Sequence, residues 1–582
     1  MKSLNNILYI DLSKKKAWIE ERKDLFEEFL GGSGVAAKLY KELVTRNIDP
    51  FDPENPIIFA VGPFNAVYPM ASKTVAAFKS PLINRYAESH AGGRTSTSIR
   101  LCGLGAIVIT GESEKPIYIA IKNGKVFFRD ARALWGMQNS ITVARVIRER
   151  EGGAGVRSIM RIGKAGERLV RYACVITETY RHFGRLGLGA IFGAKKLKAL
   201  VVAGNRSIKI PEGAYKNVYD RIFEMAVKSD AAKKYHEIGT AINVKHLNEI
   251  GALPTMNLKK TRFEYADYIS GEYLLENKLG RRVSCSGCPV ACIHIAALRQ
   301  VYREDPYFYK TTFVSYDYEP IYALGSMLGV SNPDGMLKLI EVVDLLGLDA
   351  MSTGVALAWA TEALEKGIVT TRETIISLKW GDFENYIKAC EYVVEQPNDF
   401  YAILAKGIEE ASKVYGGGEF ALSFGGNEMP GYATGYAGFI GYLIGIRHSH
   451  LDNAGYSYDQ KLLKSGQNIP PETLVDMLIN EEQWRQVLSN LVVCFFARKI
   501  YTPELVVTAL SAIGREMSEG DLKKVGEETY KMKIRIKKEE RYDPLKLRIP
   551  RRILEVETPF GRLDEEYIRR ALEYFKSKIE PF

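Results

Sequence analysis

The chain lacks several features that would narrow its class at once. No run of about eighteen apolar residues is free of charge, and the amino-terminal segment has no apolar signal core, so we expect neither a membrane span nor a secretory leader. The 582 residues include only seven cysteines, which excludes a small disulfide-stapled scaffold. Only seven glutamines occur, and scarcity of this heat-labile amide favours a thermophilic origin. A cytoplasmic protein is therefore expected.

Charge of one sign is not concentrated anywhere in the sequence. Eighty Lys and Arg against 70 Asp and Glu give +10, a mild excess spread over the chain without a dominant basic block. Such a distribution predicts no nucleic-acid partner, whereas an acidic protein partner fits it. Hydrophobic residues make up 46% and charged residues 26%, as in folded globular chains, and the length predicts about two to four domains.

The predicted secondary structure changes near residue 210 from strands to helices. Before that point strands and glycine turns dominate, including Asn123-Gly124 between two alternating runs, which is a strong hairpin signal. After it, amphipathic patterns predict helices over 215–240, 334–346, 354–366, 400–415, 473–499, 503–516 and 563–579. The prediction is an α+β fold, with a β-rich domain over 1–210 and mainly helical domains over 211–415 and 416–582.

One glycine motif resembles a nucleotide site without the structural context of one. The segment GSGVAA at 32–37 matches the dinucleotide fingerprint and opens a predicted helix that runs through Leu43. The fingerprint requires a buried strand before it, but residues 20–30 are charged and helical in period. We therefore expect this segment to pack as an ordinary helix start.

Three of the cysteines lie together in one short turn. Cys285, Cys288 and Cys292 stand at i, i+3 and i+7 with Gly and Pro between them, so three sulfurs can point to one centre. Two kinds of centre fit this spacing: zinc, closed by His294, or a 4Fe-4S cluster, which needs a distant fourth thiolate. The residue types alone leave that fourth ligand open among Cys102, Cys174, Cys390 and Cys494.

Several segments together resemble one known family. They are KTVAAFKSPL at 73–82, AESHAGGR at 87–94, GRLGLGAIFGAKKLK at 184–198, the three clustered cysteines and DLLGLD at 344–349. In the same order over most of the chain, they resemble the tungsten-containing aldehyde ferredoxin oxidoreductase family. The resemblance implies a β-rich first domain at the base of a tungsten bis-pyranopterin (tungstopterin) site, two mainly helical domains that cover it, and a 4Fe-4S cluster beside the pterin.

The resemblance also implies which residues hold the two pterins. By position they are Lys73, His90, Ala91, Gly92, Arg94, Phe183, Gly184, Arg185, Asp344, Gly347, Leu348 and Asp349. The cations among them suit the pterin phosphates, which a Mg²⁺ ion is implied to bridge. Because His90 replaces an Asn that usually faces this ion, backbone carbonyls near Phe183 are expected to hold more of it.

Two structural alternatives remain for members of this set. Gly347 can simply end one helix before another that is capped by Ser352 or Thr353. Either Arg94 or Arg185 can form a surface ion pair instead of binding a phosphate. These alternatives are compatible with a pterin site, because a helix end can present polar groups to a ligand.

The family's fourth cluster ligand ends a second motif, Asp-x-x-Gly-Leu-Cys, which corresponds to residues 489–494 and implies Cys494. Two positions depart from that motif, because Ser489 replaces the pterin-binding Asp and Val492 replaces the Gly. The second pterin is therefore expected to rest on Asn490, Leu491 or backbone groups.

The resemblance extends to the catalytic residues. The segment YDYE at 316–319 is similar to the family's acidic-Tyr-Glu stretch and implies Glu319 as general base, with a pKa that burial raises. The matching histidine is His450 or His448, and the Leu that follows His450 favours that residue. The implied reaction oxidises a small aldehyde to a carboxylate with water. Electrons leave singly through the cluster to ferredoxin or a small iron–sulfur subunit, in a homo- or hetero-oligomer.

Three other functions stay open from the sequence. Some relatives reduce activated aromatic acids, so the second hypothesis is the metal-containing subunit of an aromatic acyl-thioester reductase. A non-catalytic iron–sulfur electron carrier is a hypothesis of another class, and a zinc-stabilised structural protein is the simplest of all. Metal analysis separates these classes.

Overall fold

The computed structural model describes residues 2–45, 47–153, 155–178, 180–211, 213–302 and 305–582, and its amino-terminal part contains two mixed sheets. The strands of the first sheet are β1 (Asn6–Asp11), β2 (Lys16–Glu21), β3 (Ile57–Ala60), β4 (Thr74–Lys79), β5 (Tyr86–Ala91) and β6 (Ala106–Thr110). Their order is β2-β1-β6-β3-β4-β5. Strands β1 and β6 run parallel, and the other neighbours run antiparallel.

The second sheet follows directly along the chain. Its strands are β7 (Ile117–Lys122), β8 (Lys125–Asp130), β9 (Val156–Ile162), β10 (Val175–Thr177), β11 (Arg181–Phe183) and β12 (Leu197–Gly204), in the order β11-β10-β9-β12-β7-β8. The edge strand β11 contacts β5, the edge strand of the first sheet. Residues at the ends of these two strands therefore lie side by side, and this is where the candidate site forms.

The predicted hairpin at Asn123-Gly124 is confirmed. Strands β7 and β8 pair antiparallel up to Lys122 and Lys125, and the two turn residues have φ of 49° and 88°. A turn with positive φ at both central positions matches the twist of the strands, and Asn and Gly adopt that conformation at little cost.

Helices connect the strands of both sheets. They are α1 (Lys23–Phe29), α2 (Gly32–Leu43), α3 (Thr95–Leu101), α4 (Ser140–Arg150), α5 (Lys164–Glu167) and α6 (Leu188–Ala194). Helix α2 runs through Leu43 as predicted, and a helix precedes it instead of the strand that a dinucleotide site requires. A side chain at Gly32 would collide with the backbone of Ser489 and Asn490, so the glycine permits close packing.

The rest of the chain is mainly helical, which confirms the predicted α+β fold. The helices are α7 (Ala214–Lys228), α8 (Asp230–Glu237), α9 (Asn243–Glu249), α10 (Gly271–Asn277), α11 (Tyr318–Leu324), α12 (Pro333–Leu346), α13 (Ala350–Glu365), α14 (Thr371–Thr374), α15 (Phe383–Glu395), α16 (Asp399–Leu404), α17 (Ile408–Tyr415), α18 (Tyr436–Ile444), α19 (His450–Asn453), α20 (Gly455–Ser465), α21 (Pro471–Asn490), α22 (Pro503–Ser511), α23 (Glu519–Glu539), α24 (Arg552–Glu555) and α25 (Glu565–Ile579). Among the described residues, no helix combines the length and the apolar character that a bilayer span needs.

Four predicted helices break or end earlier than their periodicity suggested, and one of them, expected over 503–516, ends at Ser511. The helix expected over 215–240 breaks at Ser229, whose hydroxyl accepts the Ala232 N–H and caps α8. The one expected over 400–415 breaks before Gly407, which has φ of 100°. The helix expected over 473–499 ends at Asn490. Caps and left-handed residues interrupt a helix even where the apolar period continues.

A small antiparallel sheet lies within the helical part and was not predicted. It consists of β13 (Leu279–Val283), β14 (Ile293–Tyr302) and β15 (Asp305–Tyr316), in that order. The turn with the three clustered cysteines is the connection from β13 to β14, and β15 leads directly into α11. Strands β16 (Ser423–Phe424) and β17 (Asn427–Glu428) form a further short pair.

Apolar packing runs across the predicted domain borders. One hydrophobic cluster joins Leu30 and Phe64 of the amino-terminal part to Leu491 and Tyr501 of the carboxy-terminal part. Three of the cysteines pack against this cluster: Cys288, Cys292 and Cys494. The borders near 210 and 415 stay predictions, and the cysteines lie where the sheets meet the helices.

Candidate active site

Two distant cysteine-bearing turns meet at one residue, Met70. Its backbone N–H donates to the Gly287 carbonyl at 3.2 Å, and its carbonyl accepts the Cys494 N–H at 2.9 Å. The Ser286 N–H donates to the Gly93 carbonyl at 2.9 Å. The loop around Met70 thus holds both turns against the end of β5, a role that no sequence pattern indicated.

The four thiols of these turns lie within electrostatic reach of one another. Burial and then the charge of Cys494 raise the pKa of Cys288 to about 12, and the same two causes raise the pKa of Cys292 to about 12. Cys285 adds to both effects. The raised pKa values mean that deprotonation of these neighbouring thiols is unfavourable. Thiolates at this place therefore need compensating positive charge, which a metal centre supplies. The other three cysteines, Cys102, Cys174 and Cys390, are buried elsewhere as free thiols.

The alternative zinc site with His294 is not formed. Its two ring nitrogens lie 3.1 Å from the Cys292 carbonyl and 3.0 Å from the Glu237 carbonyl, so the imidazole is occupied by the backbone. In the described part of the chain, no three or more His, Cys, Asp or Glu side chains are placed to hold a single metal ion. A four-iron cluster spreads its thiolates around a larger body, so the two findings favour a cluster over a zinc ion.

Gly92 lies at the centre of the predicted pterin base. A Cβ atom added there would lie 2.7 Å from Cys285 Sγ, 3.5 Å from Arg181 Nε and 3.9 Å from Lys73 Nζ. The absence of a side chain at Gly92 therefore brings a cluster thiol and two cations together at the junction of β5 and β11. Arg181 was not predicted as a site residue, although it adjoins the matched segment that begins at Gly184.

His90 belongs to a buried polar network beneath β5. Its Nε2 lies 2.9 Å from Oε2 of Glu88, and Oε1 of Glu88 lies 2.5 Å from Nζ of Lys533. Burial and then the charge of Arg447 lower the pKa of His90 to about 4. The imidazole is therefore neutral at pH 7, with Nε2–H bound to Glu88 and Nδ1 left as an acceptor.

The segment DLLGLD forms the joint between α12 and α13. Gly347 ends α12 with φ of 78°, which agrees with the structural alternative for this residue. The expected cap of the next helix was wrong. Asp349, rather than Ser352 or Thr353, accepts the Met351 N–H at 3.0 Å, because it is the residue directly before α13.

Acidic residues of this joint contact His182 of β11 and Arg185, two residues after that strand. Nε of Arg185 lies 3.2 Å from Oδ2 of Asp349, and Nη2 donates to the Glu428 carbonyl at 2.8 Å. Asp344 Oδ1 lies 3.2 Å from Nε2 of His182 on β11. The joint thereby docks onto the edge strand that also contacts β5.

Other residues of the predicted set serve local structure. The Phe183 ring packs edge-on against Phe59 at 5.4 Å and is therefore part of the core. Arg94 is half-exposed and pairs with Glu178 at 2.6 Å, in line with the surface ion-pair alternative. The remaining apolar members are buried in the same region: Ala91, Leu348 and Leu491.

Asn490 is used entirely within the protein. Its Oδ1 accepts the Gly34 N–H at 2.7 Å, and its Nδ2 donates to the Thr529 hydroxyl at 3.0 Å. The side chain is fully buried and joins the end of α21 to the start of α2. The Asn490 side chain is therefore committed to contacts within the protein, and its carbonyl packs closely against Gly31 and Gly62.

Glu319 and His450 form a pair in which His450 is buried and the Glu319 side chain is 21% exposed. His450 Nε2 lies 3.2 Å from Oε1 of Glu319, and the Tyr432 hydroxyl donates to the same oxygen at 3.2 Å. The other candidate, His448, is turned away: its Nδ1 lies 2.9 Å from the Tyr442 carbonyl. Of the two histidines, the structure therefore places His450 beside the acid.

The expected pKa of Glu319 was wrong. Burial acts to raise it, but hydrogen bonds from His450 and Tyr432 and the nearby charge of His450 together outweigh burial, so the pKa of Glu319 is lowered. The raised pKa belongs to Asp317, the residue two positions earlier. Burial and then the negative charge of Glu319 raise the pKa of Asp317 to about 7. The sequence analysis named Glu319 as the base and assigned the raised pKa to it, whereas the raised pKa belongs to its coupled neighbour Asp317.

Several buried polar atoms around the site have no hydrogen-bond partner within the described chain. They are Arg181 Nε, Arg185 Nη1, Asp317 Oδ1 and His450 Nδ1. Each unpaired buried group costs about 1–3 kcal/mol, so a ligand that pairs with several of them is favoured here. Donors and acceptors of both kinds suit a polar, phosphate-bearing cofactor.

Family models match nearly the whole chain. "Aldehyde ferredoxin oxidoreductase, N-terminal domain" matches residues 7–204, and "Aldehyde ferredoxin oxidoreductase, domains 2 & 3" matches residues 217–578. The fold and the site thus define an oxidoreductase. The chain belongs to the tungsten-containing aldehyde ferredoxin oxidoreductase family.

Individual relatives agree with this membership. The chain is 30% identical over 578 residues, 95% of its length and 92% of the relative's, to the tungsten-containing aldehyde ferredoxin oxidoreductase of Thermococcus kodakarensis. It is 29% identical over 429 residues, 70% of its length and 66% of the relative's, to the WOR-like subunit of an aliphatic sulfonate oxidoreductase of Pyrococcus furiosus. The active site complex BamBC of benzoyl coenzyme A reductase has the same fold, with a TM-score of 0.82, 20% identity, and coverage of 99% and 94% of the two chains.

Family membership implies a tungsten–pterin cofactor, and the residues present fit one. The unpaired nitrogens of Arg181 and Arg185 suit phosphate oxygens, and Gly92 lets Arg181 and Cys285 approach each other closely. Asp317, which directly precedes α11, lies within electrostatic reach of Arg181, and His450 is the first residue of α19.

Proposed function

We propose that this chain oxidises aldehydes to carboxylates with water as the oxygen source, and passes the electrons singly through a 4Fe-4S cluster to an acidic iron–sulfur acceptor. Aldehyde and water give the carboxylic acid, two protons and two electrons. The observation that carries the proposal is the Glu319–His450 pair at 3.2 Å, with Tyr235 within electrostatic reach of both Glu319 and Cys494. An acid, a base and an electron exit in one site are what this reaction requires.

The cluster and the pterins would be held by residues of both halves of the chain. Cys285, Cys288, Cys292 and Cys494 would hold the 4Fe-4S cluster. Lys73, Arg181 and Arg185 would bind pterin phosphates, with Mg²⁺ between them near the Phe183 carbonyl, and Asp344 would accept from pterin N–H groups. When bound, the tungsten–pterin group supplies a two-electron acceptor beside a one-electron exit.

The acid–base chemistry follows from the protein's own groups. The lowered pKa keeps Glu319 ionised at neutral pH, so it accepts a proton from water or from the hydrated aldehyde. His450 donates Nε2–H to Glu319, and its Nδ1, which has no partner within the described chain, is the ring atom left for the substrate oxygen. Asp317, with a pKa raised to about 7 by burial and by Glu319, exchanges protons near neutrality and receives the proton next.

The relatives name other substrates on related proteins. One is an aliphatic sulfonate oxidoreductase subunit, and the fold is shared with a benzoyl coenzyme A reductase complex. The residues described here favour aldehydes, since a base and an oxygen-polarising group are paired as water-dependent oxidation needs. Reduction of an aryl thioester is the second outcome of the test below.

The two histidines give the sharpest test. In an anaerobic assay with simple aldehydes and a low-potential viologen dye, the unchanged protein should turn over. His450→Gln and Glu319→Gln should lower kcat about 100-fold or more at equal iron and tungsten content. His448→Gln, which alters a packed ring away from Glu319, should keep kcat per loaded chain.

Two results would contradict the proposal. Equal losses of kcat in His450→Gln and His448→Gln would remove the Glu319–His450 pair from the mechanism. Reduction of an aryl coenzyme A thioester, without oxidation of any aldehyde, would assign the chain to the reductase alternative.

A further inference from the structure

One face of the sheet β13–β15 is covered and the other is open. Ala296, Leu298 and Val314 are buried and pack into the core. On the opposite face, Phe313 is 45% exposed, and Val301 and Tyr309 are 50% and 64% exposed. Apolar side chains exposed to this degree on one sheet face are unusual in a protein without a partner.

The strand register makes these exposed side chains one continuous stripe. Ala297 pairs with Phe313, Arg299 with Thr311, and Val301 with Tyr309. Directly paired residues point to the same side, and so do residues two apart along a strand. We call this surface, defined by Phe313, Arg299, Val301 and Tyr309 with Arg281 of β13, the arm face.

The charge on the arm face is positive. The Arg281 guanidinium lies over the Phe313 ring at 5.4 Å and donates to the Tyr180 hydroxyl at 2.8 Å. Arg299 is exposed between the apolar residues of the stripe. A surface of rings and arginines is typical of protein interfaces, and its charge selects an acidic partner.

One end of the arm face lies next to the cysteine turn. Arg281 on β13 precedes Cys285 by four residues and pairs with Ile295 near the start of β14, whereas Val301 and Tyr309 lie at the opposite end of the sheet. At the turn, Ser284 and Gly287 are exposed, and a Cβ atom at Gly287 would meet nothing within 4 Å. A partner that extends along the arm face to Arg281 therefore reaches the side of the turn that faces solvent.

We propose that the arm face is the docking surface for an acidic iron–sulfur protein that accepts electrons from the cluster. The inference rests on the proposed function, because it takes the cysteines to hold the electron exit. A second copy of this chain is a poorer occupant, since it would place Arg281 and Arg299 against like charges. An acidic acceptor meets both the charge and the exposed rings.

Two variants separate the charged and the apolar parts of the arm face. One combines Arg281→Glu with Arg299→Glu, and the other combines Val301→Ser with Tyr309→Ser. Matched controls are Lys125→Glu on β8 and Val414→Ser on α17, which are exposed elsewhere. The probe is an acidic ferredoxin with two 4Fe-4S clusters, whose binding is measured by calorimetry and whose reduction is followed optically.

The arm-face variants should weaken ferredoxin binding about tenfold or more and raise its KM, while viologen turnover and the melting temperature stay unchanged. Ferredoxin binding by the unchanged protein should weaken with added salt, and the charge-reversed variant should lose this dependence. Both controls should bind as the unchanged protein does.

Three results would overturn the docking proposal. The first is equal ferredoxin binding by variants and controls, and the second is turnover with viologen by an unchanged protein that neither binds nor reduces ferredoxin. The third is a dimer that dissociates in the arm-face variants, which would assign the surface to a second copy. Absence of aldehyde turnover would instead contradict the proposed function, and the calorimetric comparison would still decide the docking surface.

Discussion

At the scale of the residue, two carboxyls two positions apart have opposite pKa shifts. Glu319 gains hydrogen bonds to its ionised form from His450 and Tyr432, whereas Asp317 has one oxygen without a partner and a negative neighbour. The result is one carboxylate that stays charged and one that titrates near neutrality. Neighbouring groups with separated pKa values are a common arrangement for acid–base catalysis.

This arrangement predicts the pH dependence of Asp317→Asn. The lowered pKa of Glu319 keeps that carboxylate charged throughout the range from pH 5 to 9, so an acid limb of kcat/KM within this range belongs to Asp317, whose pKa is raised to about 7. The unchanged protein should lose activity as the pH falls through about 7, because Asp317 must be ionised to receive a proton. Asp317→Asn should abolish this acid limb in viologen assays from pH 5 to 9.

The exposed Asp267→Asn is the matched control, and its profile should not move. A uniform loss of rate at every pH in Asp317→Asn, with the acid limb in place, would show that Asp317 only supports the structure.

Gly92 gives a second prediction at this scale. In Gly92→Ala the added methyl group would lie 2.7 Å from Cys285 Sγ, closer than such atoms approach, so the thiol must shift. The variant should fold but lose much of its iron and its visible cluster absorbance. Gly418→Ala is the control, because its Cβ would meet nothing within 4 Å. Full iron content in Gly92→Ala would move the cluster away from this glycine.

At the scale of the element, the contact between α2 and α21 holds the two halves of the chain together. Asn490 at the end of α21 bonds to the Gly34 N–H in the first turn of α2, and Gly32 lets the two backbones approach. The glycine motif at 32–37 and the motif at 489–494 therefore pack against each other. This contact between α2 and α21 is structural, although each motif resembled a ligand site in the sequence.

The contact between α2 and α21 predicts that Asn490→Ala lowers the stability of the protein. The change leaves the buried Gly34 N–H and Thr529 hydroxyl without their partner, which costs about 1–3 kcal/mol. The melting temperature should fall, while the pterin and iron content of the folded protein at low temperature should stay the same. Loss of pterin without a change in melting temperature would instead show that the side chain of Asn490 binds the cofactor.

Some secondary-structure elements could be predicted from the sequence, and one sheet could not. The turn at Asn123-Gly124 and the helix at Gly32 depend on local chemistry, so the sequence predicted them correctly. The sheet β13–β15 was missed although its strands are rich in Ile, Val, Thr, Tyr and Phe, a recognisable strand signal. Buried and exposed residues do not alternate regularly along these strands. Both faces of the sheet are covered near the cysteine turn, whereas one face is exposed toward the other end of β14 and β15.

At the scale of the whole molecule, the sequence predicted the segments of the site but not how they are joined. The thiols, Glu319 and His450 were named from motifs, and the structure brings them to one region. Met70 and Arg181 were missed because their roles depend on contacts across the chain: backbone hydrogen bonds to both cysteine turns for one, and proximity to Gly92 for the other. Such contacts leave no local pattern.

The metal and pterin content of anaerobically purified protein tests the central claim most directly. The account predicts about one tungsten, about four irons and about two pterins per chain. Zinc as the sole metal, or a folded protein free of iron and pterin, would contradict it.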